Sequence, residues 1–149
     1  MPAVSSESAT PPERALFRLF VYGTLRRGGQ NHGLLEGADF FYTTRIEGYM
    51  MWSFGSYPAI VPARASQRPE TSYITAELYG LDAALLARID RLEAYHGPEH
   101  PQNLYERIRA TDVSGQQAFL YVFAPGRIRQ KPFRQQKKLL PGGDWLARP

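Results

Sequence analysis

Phe20-Val21-Tyr22-Gly23-Thr24-Leu25 is an apolar run that breaks on a glycine, and Arg26-Arg27-Gly28-Gly29-Gln30-Asn31-His32 follows it at once. A buried strand that stops in this way hands the chain to a loop rich in glycine and polar groups. Backbone N–H groups are left at the strand end, where they can receive an anion without any side-chain charge. Such junctions occur in most folds, so the stretch needs a second signal. Glu93 supplies it, as a carboxylate on the apolar face of a predicted helix.

Working outward, the pattern is mostly β-like. Leu16 to Tyr22, Phe40 to Thr44 and Ile46 to Ser53 read as strands, with Gly48 and Gly55 at bulge or turn positions. Tyr57 to Pro62 is apolar but bracketed by prolines, which suits a sheet edge or a barrel rim. Thr71 to Leu81 alternates and is rich in Tyr, Ile and Thr. Tyr105 to Val113 and Gln117 to Phe123 form a hairpin across Ser114-Gly115. One helix stands among them, over residues 82 to 96. Asp82 is its N-cap, Leu81 a hydrophobic staple, and Gly97-Pro98 its stop. Leu85, Leu86, Ile89 and Leu92 recur on one buried stripe. Many strands with one strong helix predict an α+β fold, a small, partly closed mixed β-barrel with one main flanking helix.

The chain has 149 residues, enough for one domain with a real core. Its 43% apolar and 13% aromatic content describes a globular protein. Without cysteine, disulfides, thiolate metal sites and cysteine nucleophiles are excluded. No run of eighteen apolar residues predicts a transmembrane helix, and the start, Met1-Pro2-Ala3-Val4-Ser5-Ser6-Glu7, has no signal-peptide pattern. The cytoplasm is the expected compartment. The net charge of +4 is uneven: residues 1–126 carry a balance of −2, and residues 127–149, with seven Lys/Arg against Asp144 alone, a balance of +6. Three segments are expected: a flexible leader over 1–15, the domain over 16–126, and a basic extension over 127–149.

Glu93 lies four residues after Ile89, on the stripe of core leucines, whereas Asp90 and Arg91 fall on the outer face. Removing a lone carboxylate from water costs several kcal/mol unless it is paired or its pKa rises. A rise of about two to three units would bring it near neutrality, where a general acid/base works best. The alternative places Glu93 at the stripe's edge, reaching water or pairing with Arg107 or Arg109.

Other residues carry less. His96 and His100 are four apart, but Gly97, Pro98 and Pro101 forbid a helix there and no third ligand is near. His32 can touch a substrate or simply sit in solvent. Thr24 is a turn-forming hydroxyl before it is a nucleophile, and Gly28-Gly29 does not have phosphate-loop spacing. Tyr95 either shapes a pocket or closes the helix on the core. The stretch from Arg127 to Lys138 mixes basic residues with Phe133, which offers a rival reading as an anion- or nucleic-acid-binding tail. The slightly acidic remainder argues against a broad nucleic-acid footprint.

Several motifs occur in a telling order: Tyr22-Gly23-Thr24-Leu25, the Gly28-to-His32 loop, Gly55-Ser56-Tyr57-Pro58-Ala59, Glu77-Leu78-Tyr79, Asp90-x-x-Glu93-x-Tyr95, Tyr105-x-Arg107 and the final Gly142-Gly143-Asp144-Trp145. This set resembles the gamma-glutamylcyclotransferase-like superfamily, in its bacterial gamma-glutamylamine cyclotransferase-like branch. The resemblance covers most of residues 18 to 146. It implies a barrel-like α+β fold and chemistry that needs no metal or cofactor. In that chemistry the α-amine of a small γ-glutamyl substrate attacks its own γ-carbonyl, giving 5-oxoproline and a free amine or amino acid. Carried over, the resemblance makes Tyr22, Gly23, Thr24 and Leu25 the binders of the glutamyl head, chiefly through backbone N–H groups. It adds Tyr105 to the substrate-binding set and makes Glu93 the acid/base. A retained fold without turnover, acting as a small-ligand binder, is the third reading. Two departures stand out: Ala94 occupies a position where the family usually has glycine, and residues 96 to 103 look like an insertion.

Overall fold

The computed structural model describes residues 17–63, 72–128, 130 and 137–148. The expected leader lies outside these residues, as do residues 129 and 131–136 of the basic stretch. The elements in chain order are β1 (Phe17–Val21), β2 (Asp39–Glu47), β3 (Tyr49–Ser53), β4 (Pro58–Pro62), β5 (Tyr73–Leu81), α1 (Ala83–Leu92), β6 (Tyr105–Thr111), β7 (Gln117–Phe123), the short α2 (Pro125–Ile128) and β8 (Lys138–Leu140). A five-stranded sheet has the order β2-β5-β1-β7-β6, and a three-stranded sheet the order β4-β3-β8. The fold is α+β with α1 as its main helix. Among the described residues the two sheets do not close into a barrel.

β1 holds the centre. It pairs antiparallel with β5, Val21 opposite Glu77, and parallel with β7 through Leu19 and Phe119. Side chains alternate across a strand, so Leu19 and Val21 join one cluster with Leu85, Leu86 and Ile89 of α1. Phe20 and Tyr22 join the other, with Met51, Ile60, Leu140 and Trp145. Cover on both faces explains why the run from Leu19 to Tyr22 is continuously apolar rather than alternating. The sequence reading breaks the second and third strands around Arg45. The break falls instead at Gly48, whose φ of +94 carries the chain from the large sheet into the small one. β4 is an edge strand, with Pro58 and Pro62 at its ends.

The helix differs from expectation at its C-terminal end. Asp82 caps it, Oδ1 accepting from the Leu85 N–H at 2.8 Å, but it stops at Leu92 rather than 96. Ala94 takes φ +53, its N–H bonding the Arg91 carbonyl (3.2 Å), while the Tyr95 N–H bonds the Asp90 carbonyl (2.9 Å). That pair of bonds is a Schellman ending, which favours a residue tolerant of left-handed backbone, usually glycine. The site is where the resembling family places glycine; here alanine carries the strain, about 1 kcal/mol. Leu92, predicted to be buried, is 41% exposed because the chain turns away directly after it.

The C-terminal residues belong to the same core. β8 pairs with β3, Trp145 is buried, and the Gly143 carbonyl accepts from the Thr75 N–H at 2.8 Å.

Candidate active site

The loop after β1 has its carbonyls tied back. Gly23 O accepts from the Arg26 N–H (3.1 Å), Thr24 O from the Asn31 N–H (2.9 Å), and Leu25 O from His32 Nδ1 (2.9 Å). Asn31 Nδ2 also donates to Thr24 Oγ1 at 2.9 Å, which makes that hydroxyl part of the turn. The N–H groups of Gly23, Thr24 and Leu25 make no hydrogen bond among the described residues. The result is a row of donors at a strand end, the arrangement that receives anions or carbonyl oxygens. Gly23 is required by space: a Cβ there would stand 2.6 Å from Pro58 Cγ.

A buried ion network fixes the loop's far side. Arg26 Nε donates to Glu77 Oε2 (3.1 Å), and Arg26 Nη1 donates to Asp144 Oδ1 (2.7 Å). Glu77 Oε1 accepts from the Arg27 N–H (3.0 Å) and the Tyr79 hydroxyl (2.9 Å). Glu77 is 2% exposed and Arg26 7%, so the pair sits in low dielectric with its hydrogen-bonding capacity largely used. Asp144 caps the final 3-10 turn, Trp145–Ala147, so the network ties the loop to β5 and to the chain's C-terminal segment.

Glu93 is not within the helix, as its spacing suggests, but is its C-cap, with its N–H still bonded to the Ile89 carbonyl at 2.9 Å. It lines a cavity of about 40 Å³ together with Tyr22 to Leu25, Tyr57, Pro58, Tyr105 and Tyr121. The structure thus brings every sequence-predicted site residue to one cavity. Burial pushes the Glu93 carboxyl up to about 7, and the nearby Asp90 charge adds to it. The alternative of pairing with Arg107 or Arg109 does not hold among the described residues. Arg107 Nη1 donates to Asp90 Oδ2 at 2.6 Å, and Arg109 lies over the Phe119 ring, 4.9 Å from its centre. Asp90, expected on the outer face, is half-buried and also accepts from the Tyr121 hydroxyl at 2.5 Å.

Two phenols complete the cavity. The Tyr22 hydroxyl donates to the Tyr121 carbonyl at 2.6 Å, and the Tyr105 hydroxyl to the Pro58 carbonyl at 2.5 Å. Burial first, then Tyr105, the charge of Glu93 and Tyr49, pushes the pKa of Tyr22 well up; for Tyr105 the causes are burial, Glu93 and Tyr57. Both stay protonated at neutral pH. A carboxyl titrating near 7 beside fixed phenols and free backbone donors can accept and return a proton where a carbonyl oxygen is held.

Arg26, Glu77, Asp90, Asp144, Tyr57 and Pro58 carry no assigned role in the sequence reading. Glu77, a carboxylate between Ala76 and Leu78 in an apolar strand, is the one local signal that points to the network. His96 and His100 have ring centres 5.0 Å apart, and no group of three metal-ligating side chains forms among the described residues. Of the basic stretch, Arg127 donates to the Asn103 and Gln102 carbonyls, and Lys137 lies 4.8 Å from the Trp52 ring centre. No helix of the described residues is long and apolar enough to cross a membrane.

Comparison with known proteins is consistent across sequence and structure. The family described as gamma-glutamyl cyclotransferase, AIG2-like, matches residues 19–147. The gamma-glutamylcyclotransferase family protein YtfP of Escherichia coli K12 is 30% identical over 131 residues, 88% of this chain and 97% of the relative. The gamma-L-glutamyl-butirosin B gamma-glutamyl cyclotransferase of Niallia circulans is 35% identical over 91 residues, 60% of this chain and 54% of the relative. The solution structure of Escherichia coli ytfP superposes with a TM-score of 0.58 over 88% of this chain and 97% of that one, at 30% identity.

Proposed function

The chain belongs to the gamma-glutamyl cyclotransferase, AIG2-like family, and on that premise we propose that it cyclises a γ-glutamyl amine or γ-glutamyl amino acid to 5-oxoproline, with Glu93 as the single general acid/base. The observation that carries the reading is a carboxyl raised to about 7 in the same cavity as the donor-rich loop.

The substrate's α-carboxylate and γ-carbonyl oxygen lie along the N–H groups of Gly23 to Leu25, with Tyr22 and Tyr105 closing the head-group site. Ionised Glu93 takes one proton from the α-ammonium. The α-nitrogen's lone pair then forms a bond to the γ-carbon, and the carbonyl electrons move onto oxygen, held by the loop donors. Collapse of this intermediate breaks the γ-carbon–nitrogen bond as Glu93 returns its proton to the departing nitrogen. The ring nitrogen still carries a second proton, which the ionised Glu93 accepts and passes to the free amine, so that the amine leaves as its ammonium. The products are 5-oxoproline and the free amine. Attack is intramolecular, so fixing the glutamyl chain in a curled geometry supplies much of the acceleration and no protein nucleophile is needed.

A panel of γ-glutamyl amines and γ-glutamyl amino acids, assayed for 5-oxoproline without added metal, tests the reading. Release from at least one member is the expected result. No product from any, with ligand binding retained, would leave a binding module of this fold instead.

A further inference from the structure

One wall of the cavity leads outward as a run of aromatic rings. The turn between β3 and β4 is tight: the Phe54 N–H donates to the Tyr57 carbonyl at 3.0 Å, and Gly55, at φ +98, donates its N–H to Ser53 Oγ at 3.0 Å. Tyr57 stacks on Phe54 with ring centres 5.3 Å apart and 22° between planes. Phe54 stacks on Phe123 at 5.5 Å and 29°, and Phe123 meets Tyr105 edge-on at 5.8 Å and 84°. The stack therefore runs from Tyr105, in the cavity with Glu93, to Tyr57, which lines the same cavity and is 36% exposed. Pro58, the next residue, touches both halves of the site, its ring against Gly23 and its carbonyl on the Tyr105 hydroxyl. Glu93 is the only charged side chain lining the cavity among the described residues.

We propose that the Phe54–Tyr57 turn is the leaving-group subsite and selects an uncharged arylalkyl amine, whose ring extends the stack that runs from Tyr105 to Tyr57. The inference rests on the cyclisation reading given above. With the glutamyl head on the Tyr22–Leu25 loop and the scissile nitrogen at Glu93, the substituent on that nitrogen has the Tyr105, Pro58 and Tyr57 wall left to occupy. A flat ring there gains a stacking partner. Among the described residues lining the cavity no cation receives an α-carboxylate on the leaving group, as an amino acid would bring, and that carboxylate lies close to an ionising glutamate, so amino acid leaving groups are disfavoured.

Four compounds separate these effects on the full chain: γ-glutamyl methylamine, butylamine, phenethylamine and phenylalanine. Stacking beyond simple area burial is worth about threefold to tenfold, so kcat/KM for the phenethyl compound should exceed that for butyl by about that factor. The phenylalanine compound, which has the same ring plus a carboxylate, should fall at least about tenfold below phenethylamine. Tyr57→Ala should lower the phenethyl-to-methyl ratio by about threefold to tenfold, and Tyr57→Phe should restore it. Equal rates for phenethyl and butyl, or preference for phenylalanine, would overturn the subsite. Calorimetric titration of the same compounds into Glu93→Gln protein ranks their Kd without turnover. Wild-type protein that turns over none of them thus overturns the cyclisation reading, while the ranking of Kd still decides for or against the subsite.

Discussion

Replacing Glu93 by glutamine separates a costly buried acid from a structural one, and the structure sets the size of the effect. The carboxyl is raised from its ordinary value to about 7, by burial first and the charge of Asp90 second. In the unfolded chain it titrates at about 4.5, so between these values the folded state holds a proton that the unfolded state has released. Stability then falls as pH rises, because the native state binds more protons. At about 1.4 kcal/mol per pH unit, the penalty reaches roughly 3 kcal/mol above pH 7 and vanishes below about pH 4.5. Glutamine carries no such penalty. The variant should therefore melt higher than wild type at pH 8.5, by up to about 6–12 °C at the usual 2–4 °C per kcal/mol for a chain of this size. The gain should shrink steadily toward pH 4.5. The amide's own desolvation trims the upper figure without altering its pH dependence.

Activity should move oppositely. An amide cannot exchange a proton, so 5-oxoproline release by Glu93→Gln should drop at least about a hundredfold at every pH. In wild type, kcat/KM should climb about tenfold per pH unit below 7 and level off above it, because attack begins with the ionised carboxylate. Melting curves at pH 4.5, 6.5 and 8.5 and product release, taken on the same preparations, read both effects. A stabilisation equal at pH 4.5 and 8.5 would mean that the carboxyl is not raised. A fully active variant would remove Glu93 from the mechanism.

Three further substitutions probe its surroundings. Asp90→Asn removes the charge that helps raise the Glu93 carboxyl and leaves the Arg107 cation in place, so the limb of the kcat/KM profile near pH 7 should move to lower pH; a limb that moves upward refutes the assignment. Arg26→Ala removes the closer of the two arginines paired with the 2% exposed Glu77 carboxylate, leaving Arg27 Nε at 3.9 Å, and should cost about 3 kcal/mol in urea unfolding, whereas an unchanged midpoint would show the network to be inert. Gly23→Ala drives a Cβ to 2.6 Å from Pro58 Cγ; overpacking of about 1–3 kcal/mol should accompany a rise in KM as the head-group loop shifts, and wild-type values for both would show that the rim yields freely.

What the sequence makes legible follows from how local each cause is. The strand–glycine–loop at Phe20 to His32 and the stripe of Leu85, Leu86 and Ile89 are written in neighbouring residues, and both stand in the structure as read. The helix end is misjudged because Gly97-Pro98 is the stronger punctuation, whereas the turn that stops the helix uses Ala94, a residue whose propensity favours continuing it. Arg26 meets partners 51 and 118 positions away, at Glu77 and Asp144. No periodicity reports a contact of that span; only a carboxylate in an apolar strand hints that one is needed. Asp90 fails for the same reason, since helix spacing puts it outside and only the approach of Arg107 and Tyr121 from the large sheet reveals what covers it. Long-range partners also act where local reading is successful. Spacing flags Glu93 as out of place, but its raised carboxyl depends on β1, β4, β6 and β7 converging to bury it. The acid is therefore written locally and its strength globally. A homologue that kept Glu93 and repacked those four strands would keep the carboxylate but alter how far it is raised.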